Sequence, residues 1–196
     1  MNPIKRLGLI IAVTLTMDTA VMAPAFPQQN EVTTLNEKIS KLLDAGKFDD
    51  AMALAQRALA IVEEDLGPYH PDVATALDNL AMLYVEHGRY AEAEVLLKRS
   101  LVIRDQAGPD HPYVAASLDN LAALYANQGR YADAEPLYER SLAIRKKTLC
   151  HNPDVAQSLD NLAELYTRQG RDADAEPLYK RLQALREETG PTARCG

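Results

Sequence analysis

A block of about 41 residues recurs along this chain of 196 residues. Its most regular part is the motif Leu-Asp-Asn-Leu-Ala, whose asparagine returns at Asn79, Asn120 and Asn161. A weaker copy begins at Leu35. A glycine marks the same point of all four copies, at Gly46, Gly88, Gly129 and Gly170. Repetition at this period is typical of arrays in which each unit packs on its neighbours, so we expect a stack of four similar units.

Each block contains two apolar stretches with the period of an α-helix. In the third block Leu118, Leu121 and Tyr125 fall on one helix face. Gly129 follows, and because glycine tolerates the left-handed conformation that ends helices, it predicts a tight turn. Pro112, like the matching prolines of the second and fourth blocks, suits the first turn of a helix. The sequence therefore predicts an all-α fold of four helix-turn-helix units.

Alanines recur in register on both helices of the last three units. Small side chains let helix axes approach closely while leucine and tyrosine fill the flanking grooves. We expect these alanine columns to be structural: Ala81, Ala122 and Ala163 on the first helices, and Ala93, Ala134 and Ala175 on the second.

The order Leu, Asn-Leu-Ala, Tyr, Gly, Tyr, Ala, Tyr within a unit resembles the tetratricopeptide repeat. The long unit, with its Gly-Pro-Asp-His-Pro connection, is similar to the kinesin light chain type of that repeat. The resemblance implies a right-handed superhelix, or α-solenoid. Both ends depart from the pattern, since Glu37 replaces the asparagine and Asp172 replaces a tyrosine. The expected units are residues 32–66, 72–107, 113–148 and 154–188.

The N-terminal residues have the pattern of a secretory signal peptide. Lys5 and Arg6 precede an apolar run of 11 residues, and Ala23-Pro24-Ala25 offers a cleavage site. The run is too short to span a bilayer, so an uncleaved membrane anchor is the less favoured alternative. We expect an exported protein, periplasmic or secreted. Its parts would be a signal peptide at 1–25, a linker at 26–31, a repeat domain at 32–188 and a tail at 189–196.

The formal net charge is −7, and no clustered basic segment is evident, so nucleic acid is not an expected partner. Basic residues recur on the second helices, interleaved with glutamates. This pattern predicts a solvated outer face of mixed sign. The residues concerned are Arg99, Arg140, Arg181, Arg104, Arg145, Arg186, Glu94, Glu135 and Glu176.

The chain has two cysteines, Cys150 in the loop after the third unit and Cys195 in the tail. In an oxidising compartment the pair would hold the tail against the stack, provided that their Cα atoms come within about 7 Å. Two free thiols are the alternative.

The asparagine column is the strongest functional signal. In proteins that this sequence resembles, asparagines of the first helices line a concave groove and hold extended peptides. A carboxamide suits this role because it both donates and accepts hydrogen bonds. The resemblance implies this role for Asn79, Asn120 and Asn161. The alternative is that they bond neighbouring hairpins to each other.

Two further sets of first-helix residues are candidates for the groove. An aspartate precedes each asparagine and would make the groove edge acidic, selecting basic segments, unless these carboxylates simply face water. Other positions vary between copies, as a specificity surface would, although exposed positions also drift freely. The aspartates are Asp78, Asp119 and Asp160, and the variable positions are Met82, Ala123, Glu164, Glu86, Asn127 and Arg168.

No motif for catalysis, metal binding or a cofactor is evident. His70 and His111 follow Gly-Pro in matching loops, where we expect them to cap the next helix. The prediction is a non-enzymatic scaffold that binds an extended segment of another protein. The alternative is a structural scaffold that assembles into a dimer or larger homo-oligomer through its terminal repeats. Gln183 replaces the leucine of earlier units and makes the last face more polar.

Overall fold

The computed structural model describes residues 29–148 and 153–188. Over these ranges the chain forms eight α-helices and no strand, which confirms the predicted all-α fold. The signal-peptide prediction and both cysteines lie outside the described residues. The helices are α1 (Gln29–Asp44), α2 (Phe48–Leu66), α3 (Pro71–Glu86), α4 (Tyr90–Ala107), α5 (Pro112–Asn127), α6 (Tyr131–Thr148), α7 (Pro153–Arg168) and α8 (Asp172–Glu188).

The eight helices of these ranges form four antiparallel pairs, which stack side by side in the order of the sequence. Each pair packs internally, and the second helix of one pair packs against the first helix of the next. In addition α3 contacts α5, and α5 contacts α7, whereas the backbones of α4 and α6 lie farther apart and are linked by the ion pair of Arg140 with Asp105 at 2.5 Å. The stack is therefore curved, with the odd-numbered helices on its inner side and the even-numbered helices on its outer side.

The turn inside each hairpin is built around the recurring glycine. Gly129 has φ +73°, a conformation that side chains disfavour, and it ends α5. The backbone N–H of Arg130 donates to the carbonyl of Tyr125 at 2.9 Å, closing a Schellman motif. The guanidinium of the same arginine lies 4.0 Å from the centroid of the Tyr125 ring. The glycine, the arginine and the tyrosine together stabilise the turn between α5 and α6.

The longer connections between hairpins end in a histidine and a proline. The side chain of His70 accepts a hydrogen bond from the backbone N–H of Asp72 at 3.2 Å, and Pro71 begins α3. His111 accepts from Tyr113 in the same way at 3.3 Å. The prediction that these histidines cap the following helices is confirmed, and the caps satisfy N–H groups that a helix start leaves open.

The core runs the length of the stack. The six alanines of the recurring columns are all buried, as predicted. Leucines at the start of the repeated motif are buried beside them, among them Leu77, Leu118 and Leu159. Because each unit lends one face to the unit before it and one to the unit after it, stability is shared between neighbouring units.

Candidate binding groove

Helix α5 is enclosed on every side but one. Between residues 114 and 127 every side chain is buried except those of Ala116, Asn120, Ala123 and Asn127. These four follow one another at spacings of four, three and four residues, which places them on a single face of the helix. Since α5 also contacts α3 and α7 on the inner side of the stack, this face opens onto the concave surface.

The neighbouring helices continue the same face. On α3 the corresponding side chains are Asn79, Met82 and Glu86, and on α7 they are Asn161, Glu164 and Arg168. None of these six is buried. The structure therefore brings together the asparagines and the variable positions that the sequence nominated. We call this set, with Asn120, Ala123 and Asn127, the inner stripe.

The amides of the inner stripe are largely free of intramolecular bonds. Asn79 and Asn120 are half-buried, and their side chains have no hydrogen-bond partner among the described residues. Asn161 accepts a hydrogen bond from Gln157, one turn earlier in its own helix, at 2.8 Å. Within the described ranges no asparagine of this column bonds a neighbouring hairpin. Donors and acceptors on the inner stripe therefore remain available to a ligand.

Charge on the inner face is uneven. Glu37 and Asp44 of α1 take the positions of Asn79 and Glu86, and both are exposed. These two carboxylates and Glu86 have no ion pair among the described residues. At the other end, Arg168 neutralises Glu164 at 2.6 Å. The unpaired carboxylates of the inner face therefore lie on α1 and α3.

The aspartate column does not contribute to this charge as predicted. Asp78 is 7% exposed and Asp119 is 9% exposed. Each is paired with an arginine, Asp78 with Arg104 at 2.9 Å and Asp119 with Arg145 at 2.7 Å. The prediction that these two carboxylates form a free acidic edge is wrong, because one residue along a helix turns the side chain by about 100°, here into the interior. Asp160, in the last unit, is half-buried.

The arginines of these pairs are also misplaced by the sequence interpretation, which put Arg104 and Arg145 on a solvated outer face. Their side chains are only 10% exposed. Arg104 donates to the hydroxyl of Ser117 at 2.8 Å and to the backbone carbonyl of Tyr113 at 3.1 Å. Since Asp78 lies on α3, Arg104 on α4 and Ser117 on α5, one guanidinium ties three helices across a unit boundary.

The next boundary repeats the arrangement. Arg145 donates to Ser158 at 2.6 Å and to the carbonyl of Asp154 at 3.1 Å. Ser141 lies 3.4 Å from Ser158, as Ser100 lies 3.2 Å from Ser117. We call each set of aspartate, arginine and two serines a polar bridge. The signal that sequence analysis missed was the recurrence of all four residue types at the repeat spacing.

Burial is the largest influence on the pKa values of Asp78 and Asp119. It raises the pKa of Asp78, and the charge of Arg104 and the two nearby serine hydroxyls oppose that shift only in part. Burial likewise raises the pKa of Asp119. In both carboxylates Oδ2 faces the arginine while Oδ1 has no hydrogen-bond partner. Each bridge thus carries an incompletely satisfied buried anion, which is costly.

The first boundary, between α2 and α3, has no polar bridge. Asn36, Val62 and Ala76 stand where the later units have the aspartate, the arginine and the second serine, and Val62 and Ala76 pack against the apolar core. Equivalent unit boundaries are therefore packed in two ways, with apolar residues at the first and with a polar bridge at each of the next two.

A second kind of link joins the outer helices to the next turn. Glu94 accepts hydrogen bonds from Arg130 at 2.8 Å and from the hydroxyl of Tyr125 at 2.9 Å. Lys98, with these two groups, lowers the pKa of Glu94 to about 2. Glu135 and Arg171 repeat the ion pair at 2.7 Å.

The described residues hold no group of three or more histidines, cysteines or acidic side chains suited to a metal ion. None of the helices in these ranges is both long and apolar enough to traverse a lipid bilayer.

A family model for the tetratricopeptide repeat matches residues 31–106, 88–147 and 113–188. Together these matches cover most of the chain and all four hairpins. The chain belongs to the tetratricopeptide repeat family. Its fold is the right-handed solenoid of that family, as predicted.

Solved structures of kinesin light chain type have a similar fold. A Podosopora anserina kinesin light chain with nearly identical tetratricopeptide-like repeats is 26% identical, with a TM-score of 0.73 over 84% of this chain and 79% of that one. BtubC (BKLC) from P. vanneervenii has a TM-score of 0.74 at 24% identity, covering 89% of this chain and 72% of the other. The second likeness concerns the fold alone.

Among curated proteins, nephrocystin-3 matches a part of the chain. The Xenopus tropicalis protein is 40% identical over 74 residues, which are 37% of this chain and 6% of that protein. The human protein is 40% identical over 67 residues, 34% of this chain and 5% of that one. The match spans only a small part of these relatives. Tetratricopeptide repeats in general form protein interaction scaffolds and are typically non-enzymatic.

Proposed function

We propose that this protein is an interaction scaffold that holds an extended segment of a partner protein along the inner stripe. The proposal rests on the exposure and the hydrogen bonding of Asn79 and Asn120. Both lie on the accessible face of inner helices, and neither amide has an intramolecular hydrogen-bond partner among the described residues.

An extended segment suits the spacing of the inner helices. Packed helices lie about 8–10 Å apart, and an extended chain advances about 3.3 Å per residue. One asparagine therefore meets about every third residue of the ligand. Each amide can donate to a backbone carbonyl and accept from a backbone N–H, so recognition does not depend on the ligand side chain at that point.

The partner segment is expected to be basic at one end. Glu37, Asp44 and Glu86 leave unpaired carboxylates on the inner face of α1 and α3, which favour lysine or arginine there. Ala123 in the middle leaves room for a larger ligand side chain, and Met82 offers it an apolar contact. The buried aspartates Asp78 and Asp119 take no direct part.

A displayed library of random peptides, panned against the purified protein, tests this proposal. Enriched peptides should carry basic residues, and the variant Asn120→Ala should bind them about 2- to 10-fold more weakly, the worth of one hydrogen bond. Gln106→Ala is the matched control, because it removes an exposed amide from the outer helix α4. Equal affinity of the Asn120→Ala and Gln106→Ala variants, both with unchanged helicity, would contradict the groove.

We also propose that the protein is exported, which rests on the N-terminal pattern of residues 1–25 alone. Expression of the full chain in a bacterial host, followed by mass spectrometry of the extracytoplasmic fraction, tests this. The expected product begins at Phe26. A product that stays cytoplasmic and begins at Met1 would contradict export.

A further inference from the structure

Tyr138 of α6 brings a polar atom into the apolar core. The residue is 5% exposed, and its ring packs among buried apolar side chains. Its hydroxyl nevertheless has no hydrogen-bond partner among the described residues. In the preceding unit the same position holds Leu97, which is fully buried and has no polar group. A buried hydroxyl without a partner is costly, and such groups are rare in folded proteins.

The packing of α6 on α7 shows the level at which this side chain lies. The hydroxyls of Ser141 on α6 and Ser158 on α7 lie 3.4 Å apart. Because the two helices are antiparallel, three residues back along α6 correspond to three residues forward along α7. Tyr138 is therefore level with Asn161, which belongs to the inner stripe.

The charges around the hydroxyl show the direction in which it points. The charged side chains that act on it are Asp119 of α5 and, on α7, Glu164 and Arg168. Since Glu164 and Arg168 belong to the inner stripe, the hydroxyl points from α6 through the gap between α5 and α7 toward the inner face. Unlike Oδ1 of Asp119, it is not fully enclosed. The hydroxyl therefore lies in the floor of the groove, where a bound segment can reach it.

The surroundings of the hydroxyl favour a particular kind of ligand group. Burial, with the carboxylates of Asp119 and Glu164, raises the pKa of Tyr138, so the phenol keeps its proton and can donate it to a hydrogen bond. Both carboxylates are paired, Asp119 with Arg145 and Glu164 with Arg168. Because the charges balance in pairs, an uncharged acceptor fits this place best.

We propose that the hydroxyl of Tyr138 forms part of the groove floor and donates a hydrogen bond to an amide carbonyl of the bound segment. This inference rests on the proposed function and adds to it a binding residue from an outer helix. The carbonyl belongs to the peptide backbone or to an asparagine or glutamine side chain, which offer the same acceptor. The segment is thus uncharged where it crosses α5 and α7, and basic where it crosses α1 and α3.

The variant Tyr138→Phe tests the contact, because it removes the hydroxyl and keeps the ring. Helicity and thermal stability should not fall. Peptides selected by panning against the wild-type protein should bind this variant about 2- to 10-fold more weakly, the worth of one hydrogen bond. Tyr113→Phe is the matched control, since it removes an exposed hydroxyl near the start of α5, outside the inner stripe. Equal affinity of Tyr138→Phe and wild type would overturn the proposal.

The variant Asn120→Ala, measured with the same peptides, separates this inference from the proposed function. A loss in Asn120→Ala with none in Tyr138→Phe would leave the groove in place and refute the role of the hydroxyl. No loss in either variant, or a panning experiment that yields no peptide, would contradict the groove and the hydroxyl contact together. A loss in Tyr138→Phe alone would support the hydroxyl contact and contradict the role of Asn120.

An ester scan of one selected peptide distinguishes a direct contact from a change in groove shape. Each peptide of the scan has one backbone amide replaced by an ester, whose carbonyl is a weaker acceptor. If a backbone carbonyl is bound, one ester should cost affinity for the wild type and not for Tyr138→Phe. If a side chain is bound, the same pattern should appear when one asparagine or glutamine of the peptide is changed to alanine. Losses that add to that of Tyr138→Phe at every position would mean that the tyrosine acts through packing alone, and would overturn the proposal.

Discussion

The guanidinium Nη1 of Arg104 lies 2.9 Å from the carboxylate Oδ2 of Asp78, and little of either side chain is exposed to solvent. The same guanidinium reaches Ser117 of the next unit. The two boundaries from α4 to α7 thus each hold a polar bridge, while the first boundary is apolar. This contrast within one chain makes the energetic role of the bridge measurable.

Removing the arginine alone should destabilise the fold. Arg104→Val leaves a buried carboxylate without its cation, a loss of about 3–5 kcal/mol in the free energy of unfolding. The double variant Asp78→Asn, Arg104→Val has the residue types of Asn36 and Val62 in the first unit. It should recover most of that loss, because no unpaired carboxylate is left buried. Urea unfolding followed by circular dichroism measures both. A double variant as unstable as the single one would show that the pair is not the source of the loss.

Acid should weaken the link from Glu94 to the following turn. The pKa of Glu94 is lowered from 4.5 to about 2, so its contribution is complete above about pH 4.5 and is lost as the pH falls through about 2. The difference in free energy of unfolding between wild type and Glu94→Gln should therefore shrink between about pH 5 and about pH 2. The raised pKa values of Asp78 and Asp119 favour folding in acid. Their effect is the same in both proteins and cancels in this difference.

The control for this measurement is Glu64→Gln, because Glu64 is exposed and has no ion pair within the described ranges. Its difference from wild type should stay near zero at each pH. A Glu94→Gln difference that is equally flat would mean that Glu94 contributes nothing to the boundary.

The hairpin turn should respond to backbone conformation rather than to space. At Gly129 an added Cβ would meet nothing within 4 Å, yet φ is +73°. Gly129→Ala should therefore cost about 1–2 kcal/mol in thermal unfolding through strain alone. Gly108→Ala is the matched control, since φ there is 161° and the new Cβ would make only an ordinary contact with His111. Equal losses in the two variants would refute a role for the left-handed conformation.

The charge of the inner face should be visible in salt dependence. The double variant Glu37→Gln and Glu86→Gln removes two unpaired carboxylates and should weaken the binding of basic peptides obtained by panning. It should also reduce the decline of affinity with ionic strength, measured by anisotropy. Glu64→Gln on the outer side again serves as the control. An unchanged salt dependence would place the ligand elsewhere.

The features predicted best were local and repeated. The hairpins, the glycine turns and the capping histidines each depend on a few neighbouring residues, such as His70 and the N–H of Asp72. The alanine columns were predicted equally well, since three copies of one pattern support each other. Neighbouring residues determine the helix period, the helix ends and the turn conformation, so those features can be predicted from the sequence.

The polar bridges were missed because burial depends on which helix covers a residue. Asp78 and Asn79 are adjacent in sequence and look alike as a column, yet one is buried beneath α4 and the other opens onto the inner face. Nothing within a single helix distinguishes an arginine that reaches water from one that crosses to the next unit.

The sequence by itself determined the repeat, the helical hairpins and the residue types offered on the first helices, because periodicity and turn chemistry are local. Only the tertiary structure decided that Asp78 and Arg104 are interior, that Asn79 and Asn120 keep their amides free, and that Tyr138 is buried between its neighbours. Those outcomes follow from how one unit covers the next, which is a property of the stack.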